Sequence, residues 1–540
     1  MVRVTSLISW LRQIMALSWQ FWVALVWSLS LVWLVFRWFE PMYGTNDDVG
    51  NAMRIHGFGQ YAHASPFVVY SNVIWGWILF HLPTLNHLYS YAWVTVLIML
   101  AYSWGLTYFC LRSAAPVWLV LPLVAAMVVE PLLFPQFTIH AILLSLVMAL
   151  AIRQYMVRPA PWLLVVVVGF GVAGMLIRTY GWLAVVMSMV PLISWRKFWA
   201  DRRLRWIGTG LIGFLIISVL INWGAYQSTA ELRKFESLYR LYQPIFNNNA
   251  TLFFEQNPQF LATHGWHEND IHLIRSRFLI PGPLMDVDAL RDIMQNLPRL
   301  NSEIARKITF ENLKKVAAVA PWLLYVGLVL VLVSKQLRLW GVFAAFIIGV
   351  IGLGILGRVA PDRVTYPLLV VCIVFALVSI PASTWIKHRW LVWVVVVCTA
   401  FGLWIEIPEL TRRSQKFTAH GAALWYDMHE ISNRPLVVWG GFEYEMMYPV
   451  RRLRDDVLHV PIYALALSAI QPTSVAYDAV QQGFDIDTVL RSAAGLELIT
   501  QPYMLPWLEL YCRDHHAANL EANPSWRGAT IVIYQVKCVP

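Results

Sequence analysis

Charge is scarce in this chain. Only 13% of its 540 residues are Asp, Glu, Lys or Arg, about half the share in soluble domains, which excludes an ordinary soluble enzyme. Five cysteines are too few for a disulfide scaffold. No P-loop, GxSxG elbow, HExxH pair or dinucleotide fingerprint occurs, so the motif-borne nucleotide, serine-hydrolase, zinc-protease and NAD chemistries have no support. The apolar runs hold few charges, which argues against an ion-coupled transporter. No small-residue cleavage site follows the first apolar run, 16–36. Preceded by Arg3 and Arg12, it reads as an uncleaved first span and not a signal peptide.

Apolar residues fill the space that charge leaves. The chain is 59% hydrophobic with a mean hydropathy of +0.57, the composition of a polytopic membrane protein. Its 28 Trp and 22 Tyr suit aromatic belts at the two interfaces. The net charge of +10 sits mostly in short loops between apolar runs, which is a topology signal; no nucleic-acid partner is expected.

Runs able to span, or nearly so, fall at 16–36, 88–111, 116–134, 136–152, 161–177, 181–195, 204–222, 316–333, 339–356, 364–380 and 390–404. The run 66–82 is ambiguous. If it spans, Arg153, Arg158 and the cluster Arg196, Lys197, Arg202, Arg203, Arg205 fall on conflicting sides. If it lies in the interface or re-enters, all become cytoplasmic, together with Arg112, Lys335, Arg338, Lys387 and Arg389. The positive-inside rule therefore favours about eleven transmembrane helices, N-terminus cytoplasmic and C-terminus outside. Three polar segments face outward: a loop at 37–87, an insert at 223–315 and a tail at 405–540. The expected fold is an all-α polytopic membrane domain over 1–404, followed by a small α/β extracytoplasmic domain over 405–540. In that tail a helical stretch from 411 leads into strand-like "PLVVWGG", and "GATIVIYQVKCV" closes as a strand. Cys512 and Cys538 lie there, where an oxidising compartment would allow pairing; sequence leaves open whether they meet.

The first outward loop contains "YGTNDDVGNAMRIHG", with Asp47 and Asp48 adjacent. With Asn46 as N-cap, both acids occupy the first helical turn and complement its dipole. A carboxylate held beside apolar walls at the membrane surface can instead act as a general base. Arg178 ("MLIRTYGW"), Arg358 and Arg363 ("GRVAPDRVTYPLL") fall on the outward side, where the positive-inside rule disfavours them. Snorkelling or pairing with Asp362 would explain them; so would a site for a lipid phosphate, whose oxygens a guanidinium binds bidentately. In the insert, "THGWHENDIHLIRSRF" carries Asn269 and Asp270 in a second cap-like position near His264, His267 and His272. His267 and His272 are five apart, a poor spacing for one helical face. The lone sequon Asn249-Ala-Thr251 gives no reason to infer a eukaryotic host.

"TNDDVG", just after the first span and before an interfacial segment, resembles the acidic motif of the GT-C superfamily of integral-membrane glycosyltransferases. "NDDVG", "SPFVVYSN", "QFTIHA" and "GWHENDIHL" also resemble bacterial membrane proteins of that type. The resemblance implies transfer of a sugar from a polyprenyl-phosphate donor to a glycan or glycolipid acceptor of the cell envelope, such as lipopolysaccharide or O-antigen. The site would face outward from a bacterial inner membrane whose lipid surrounds the enzyme. Asp47 or Asp48 would be the base, with Asp48 favoured as the deeper of the two in the helix, and Arg178, Arg358 and Arg363 would bind the donor phosphate. Asn46, His56, Tyr70, Trp75, Asn269 and Asp270 would be substrate contacts. No cofactor is assigned; a divalent metal is compatible with the pattern, without a ligand set. Two alternatives stand beside this reading. One is an O-antigen or polysaccharide polymerase or ligase, with the insert as active element. The other is a lipid-linked glycan transporter or flippase, which should carry a charged cavity through the midplane.

Overall fold

The computed structural model describes residues 18–247, 254, 258–263, 266–279, 287–295, 302–432, 436–440, 448–457, 459–465 and 467–540. Arg3, Arg12, His264 and the sequon at 249–251 lie outside the described residues. Seven described helices are long and apolar enough to cross a membrane: Trp19–Trp38, Ser90–Leu111, Phe137–Val157, Arg202–Tyr226, Leu337–Ile355, Asp362–Ser379 and Arg389–Glu430. Ser302–Val319 and Pro321–Ser334, bent by 90°, would make an eighth if counted as one span. The break falls at Ala320, kept out of the helical conformation by the proline that follows. Val117–Leu133, Pro161–Ile177 and Thr179–Leu192 are apolar but shorter. Each expected apolar run is therefore helical, in an architecture compatible with a polytopic membrane protein, while only seven or eight meet the length of a full crossing.

Phe137–Val157 is the central helix, almost wholly buried. Small residues let its neighbours approach closely. A Cβ on Gly105 would come within 2.5 Å of Val147, and one on Gly174 within 2.5 Å of the Ser145 hydroxyl. Such contacts suit a bundle that packs by van der Waals fit between helices.

The ambiguous run becomes Val73–His81, a helix of nine residues about 13 Å long, too short to cross. The Asn72 side chain caps it by accepting from Ile74 N at 3.0 Å and donates to Ser218 O at 3.0 Å, tying it to the Arg202–Tyr226 helix. Before it lies Asn46–His56, which ends on Gly57 at φ +67°, where the left-handed conformation favours glycine. Its N-cap is Thr45, one residue ahead of the expected Asn46.

The tail forms a five-stranded sheet of order β2-β1-β3-β5-β4, with β1 Leu436–Val438, β2 Ile462–Ala464, β3 Leu496–Ile499, β4 Asn519–Arg527 and β5 Val532–Val539. β1 pairs in parallel with β2 and β3, while β5 is antiparallel to β3 and β4. One face packs on the Asn46–His56 region through Val49, Met53, Val438, Ile462 and Ile533. The other packs on the insert through Trp266, Ile274, Phe278, Val437 and Leu498. The insert thus shares a core with the tail, and the Arg389–Glu430 helix runs unbroken across the expected boundary at 405. Cys512 and Cys538 form a disulfide with Cα atoms 5.4 Å apart.

Candidate functional site

Asp47 and Asp48 are adjacent in sequence and sit in opposite environments. Asp48 is 2% exposed. Its carboxylate accepts from the Thr45 hydroxyl at 2.8 Å, the Tyr91 hydroxyl at 3.0 Å and the Phe137 backbone N–H at 3.0 Å. It therefore ties the first-loop helix to the starts of the Ser90–Leu111 and Phe137–Val157 helices. Burial outweighs these donors and pushes its carboxyl up to about 7, with Asp47 adding to the rise. A cavity of about 20 Å³, room for roughly one water, lies between Asp48, Trp75, Tyr91, Phe137 and His140.

Asp47 points the other way, with its side chain 18% exposed and Oδ2 at 3.4 Å from Nη1 of Arg363. Arg363 belongs to the first turn of Asp362–Ser379. Arg178 completes the group from the break between Pro161–Ile177 and Thr179–Met189, where its backbone is extended. Its Nη1 donates to Tyr70 O at 2.7 Å, and its guanidinium lies 4.9 Å from the Tyr70 ring centre and 5.5 Å from that of Phe137. Asp47 and Arg363 both act on the Arg178 charge through space. One carboxylate and two guanidiniums from three separate elements thus converge beside an aromatic wall. Tyr70 holds φ +67°, an uncommon conformation for a non-glycine residue, and stacks on Phe137. The Ala230–Asn247 helix adds Gln243, whose Nε2 donates to the Tyr70 hydroxyl at 3.2 Å, and Tyr239, whose ring meets Tyr70 edge-on. Burial pushes the Tyr239 phenol up, with Tyr70 and Asp47 adding.

The remaining sequence candidates lie elsewhere. Arg358 is exposed, and no contact joins its guanidinium to this group among the described residues. Asn46 is partly exposed in the first turn. His56 Nε2 faces the Ser90 hydroxyl at 3.3 Å and the Tyr91 N–H at 3.5 Å, while its ring stacks on Tyr89 at 4.2 Å. Burial, aided by His459, lowers it to about 4. A neutral imidazole capping a helix start is the result. Trp75 is half-buried beside the Asp48 cavity. Asn269 and Asp270 lie in the insert–sheet core: Asn269 Nδ2 donates to Trp507 O at 3.0 Å, and Asp270 Oδ1 meets His515 Nε2 at 2.8 Å. His267 is the N-cap there, and His272 stacks on Trp507; neither belongs to a potential metal-ligating group among the described residues. One potential metal-ligating group stands among the described residues: exposed His87, Asp455 and Asp456. Arg454 already holds Asp456 through two hydrogen bonds of 2.7 and 2.6 Å.

Sequence reasoning did not find Tyr239, Gln243 or Phe137. The first two come from an amphipathic insert helix whose register against a loop some 170 residues earlier carries no local signal. Comparison with protein-family models, curated proteins and solved structures returns no match.

Proposed function

We propose that this chain is an integral-membrane glycosyltransferase that moves a sugar from a polyprenyl-phosphate donor to a cell-envelope glycan acceptor on the outer face of the membrane. The observation that carries the reading is the Asp47–Arg363 pair, 3.4 Å apart, with Arg178 beside it. Such a transfer needs a proton acceptor next to anion-binding groups, and the chain ends of apolar helices are where a lipid phosphate sits.

The donor phosphate would take charge-assisted hydrogen bonds from Arg178 and Arg363. Drawing Arg363 off Asp47 frees that carboxylate to accept a proton. The acceptor oxygen then bonds to the anomeric carbon as the bond from that carbon to the phosphate oxygen breaks. The hydroxyl proton passes to Asp47, and the electron pair leaves on the lipid phosphate, where the guanidiniums stabilise it. Asp48, enclosed by its three donors, holds the helix in place. Tyr70 and Phe137 position Arg178.

The test is incubation of purified protein with a panel of polyprenyl-phosphate sugars, comparing wild type with Asp47→Asn. Sugar transfer should fall about a hundredfold or more in the variant, at unchanged thermal midpoint. Full activity in Asp47→Asn would remove the base, and no transfer by wild type from any donor in the panel would overturn the donor class.

A further inference from the structure

The structure concentrates unpaired cationic charge at the end of the bundle opposite Asp47. Pro161–Ile177 runs 17 residues, about 25 Å, from beside Arg158 to Arg178, so its two ends define two faces. The Arg202–Tyr226 helix runs the same way and meets the first loop at Tyr226, whose hydroxyl donates to Val68 O at 2.9 Å. Its start belongs to the far face. There the chain makes a tight hairpin: helix Trp195–Ala200, Asp201, then Arg202 onward.

This hairpin holds Arg196, Lys197, Arg202, Arg203 and Arg205, all exposed, and none forms an ion pair among the described residues. Asp201 is its only acid, and Oδ1 is occupied as an N-cap by Arg203 N at 2.8 Å and Leu204 N at 3.0 Å. Lys197 Nζ reaches Met156 O at 3.5 Å, placing the hairpin beside Arg158 at the end of the central helix. Large apolar rings accompany the charge: Trp195 is 45% exposed, Trp199 62% and Trp206 66%. Phe198 turns inward and touches Gly208, where a Cβ would come within 2.9 Å of its ring, which fixes the hairpin's shape. Exposed indoles beside uncompensated cations match a bilayer interface, where Trp settles at headgroup depth and Lys or Arg meets phosphate.

We infer that the 195–206 hairpin is a binding surface for anionic phospholipid headgroups. Each cation near an anionic leaflet favours association by about fivefold. A zwitterionic headgroup offers no net charge to five cations and is not selected. The inference does not depend on the sugar-transfer reading, since it concerns the opposite face.

The experiment measures lipid carried through purification of the full chain, by mass spectrometry of phosphatidylglycerol and phosphatidylethanolamine after detergent washing. Replacing Arg196, Lys197, Arg202, Arg203 and Arg205 together by Gln should cut retained phosphatidylglycerol by about tenfold or more, leaving phosphatidylethanolamine unchanged. Equal phosphatidylglycerol in the variant overturns the inference. Because five charges also influence insertion, a second measurement uses wild type alone. Phosphatidylglycerol added in mixed detergent micelles should raise its apparent thermal midpoint, and about 1 M salt, with a Debye length of about 3 Å, should cancel the rise. An equal rise with inorganic phosphate, or none with phosphatidylglycerol, would also overturn it.

Discussion

The buried Asp48 makes stability depend on pH in a direction opposite to most carboxylates. Its carboxyl moves from an ordinary 3.8 to about 7 on folding, mainly through burial. The folded state therefore binds a proton that the unfolded state has released over that interval. The resulting stabilisation is complete below about pH 4 and is lost as pH rises through about 7. A displacement of that size corresponds to on the order of 4 kcal/mol between the protonated and ionised forms. Asp48→Asn imitates the protonated carboxyl: its carbonyl can accept from Tyr91 and Phe137, and its amide can donate to Thr45. The variant should be close to wild type near pH 4 and increasingly more stable as pH rises, with the difference levelling off above about pH 7. Apparent unfolding midpoints in detergent, read at matched heating rate from pH 4 to 8, measure it. A flat difference across that range, or a variant weaker than wild type throughout, would mean that the three donors outweigh burial at Asp48.

Arg178→Ala should weaken donor binding by roughly 1.5–3 kcal/mol as one charge-assisted contact is lost, and Lys should restore only part; isothermal titration with a polyprenyl-phosphate sugar reads this. Arg363→Ala should likewise raise KM for the donor at an unchanged folded fraction, whereas Arg358→Ala, exposed and remote in its contacts, should leave it near wild type. Cys512→Ser opens a link with sequence separation 26 and should cost about 3.5 kcal/mol by chain entropy, seen as a lower apparent midpoint that a reductant reproduces in wild type. Tags near 200 and 336 should be cytoplasmic and tags near 260 and after 410 external; an external tag at 200 would reverse the orientation of the Asp47 face.

Hydropathy made the helices legible, because an apolar run of membrane length admits few other structures. Charge counting separated the short 66–82 run from the spans, and Val73–His81 is indeed too short to cross. Strand β5 and the end of the 42-residue helix were also readable from their patterns. β4 was not: "NLEANPSWR" is polar, contains a proline and carries an irregularity between Pro524 and Trp526, so no alternation marks it. The different surroundings of Asp47 and Asp48 could only be half anticipated. Adjacent helical positions point about 100° apart, which says that the two acids differ but not which one faces the core. That depends on Tyr91 and Phe137, 43 and 89 positions further along. The insert–tail core was hidden for the same reason, since Asp270 and His515 are 245 positions apart.

The Arg389–Glu430 helix, 42 residues without a break, extends about 63 Å, more than twice the hydrocarbon thickness. Near its far end Asp427 accepts from the backbone N–H groups of Ala529, Thr530 and Ile531 at 3.0, 2.6 and 3.0 Å. The helix is thus clamped to the sheet at one end and packed in the bundle at the other, which makes it a shaft with a defined phase. Each residue inserted between the two grips would turn the sheet domain by about 100° and lift it by about 1.5 Å, and seven would return it close to its starting angle. The length of this helix, counted in turns, therefore helps set the angle at which the sheet meets the Asn46–His56 loop.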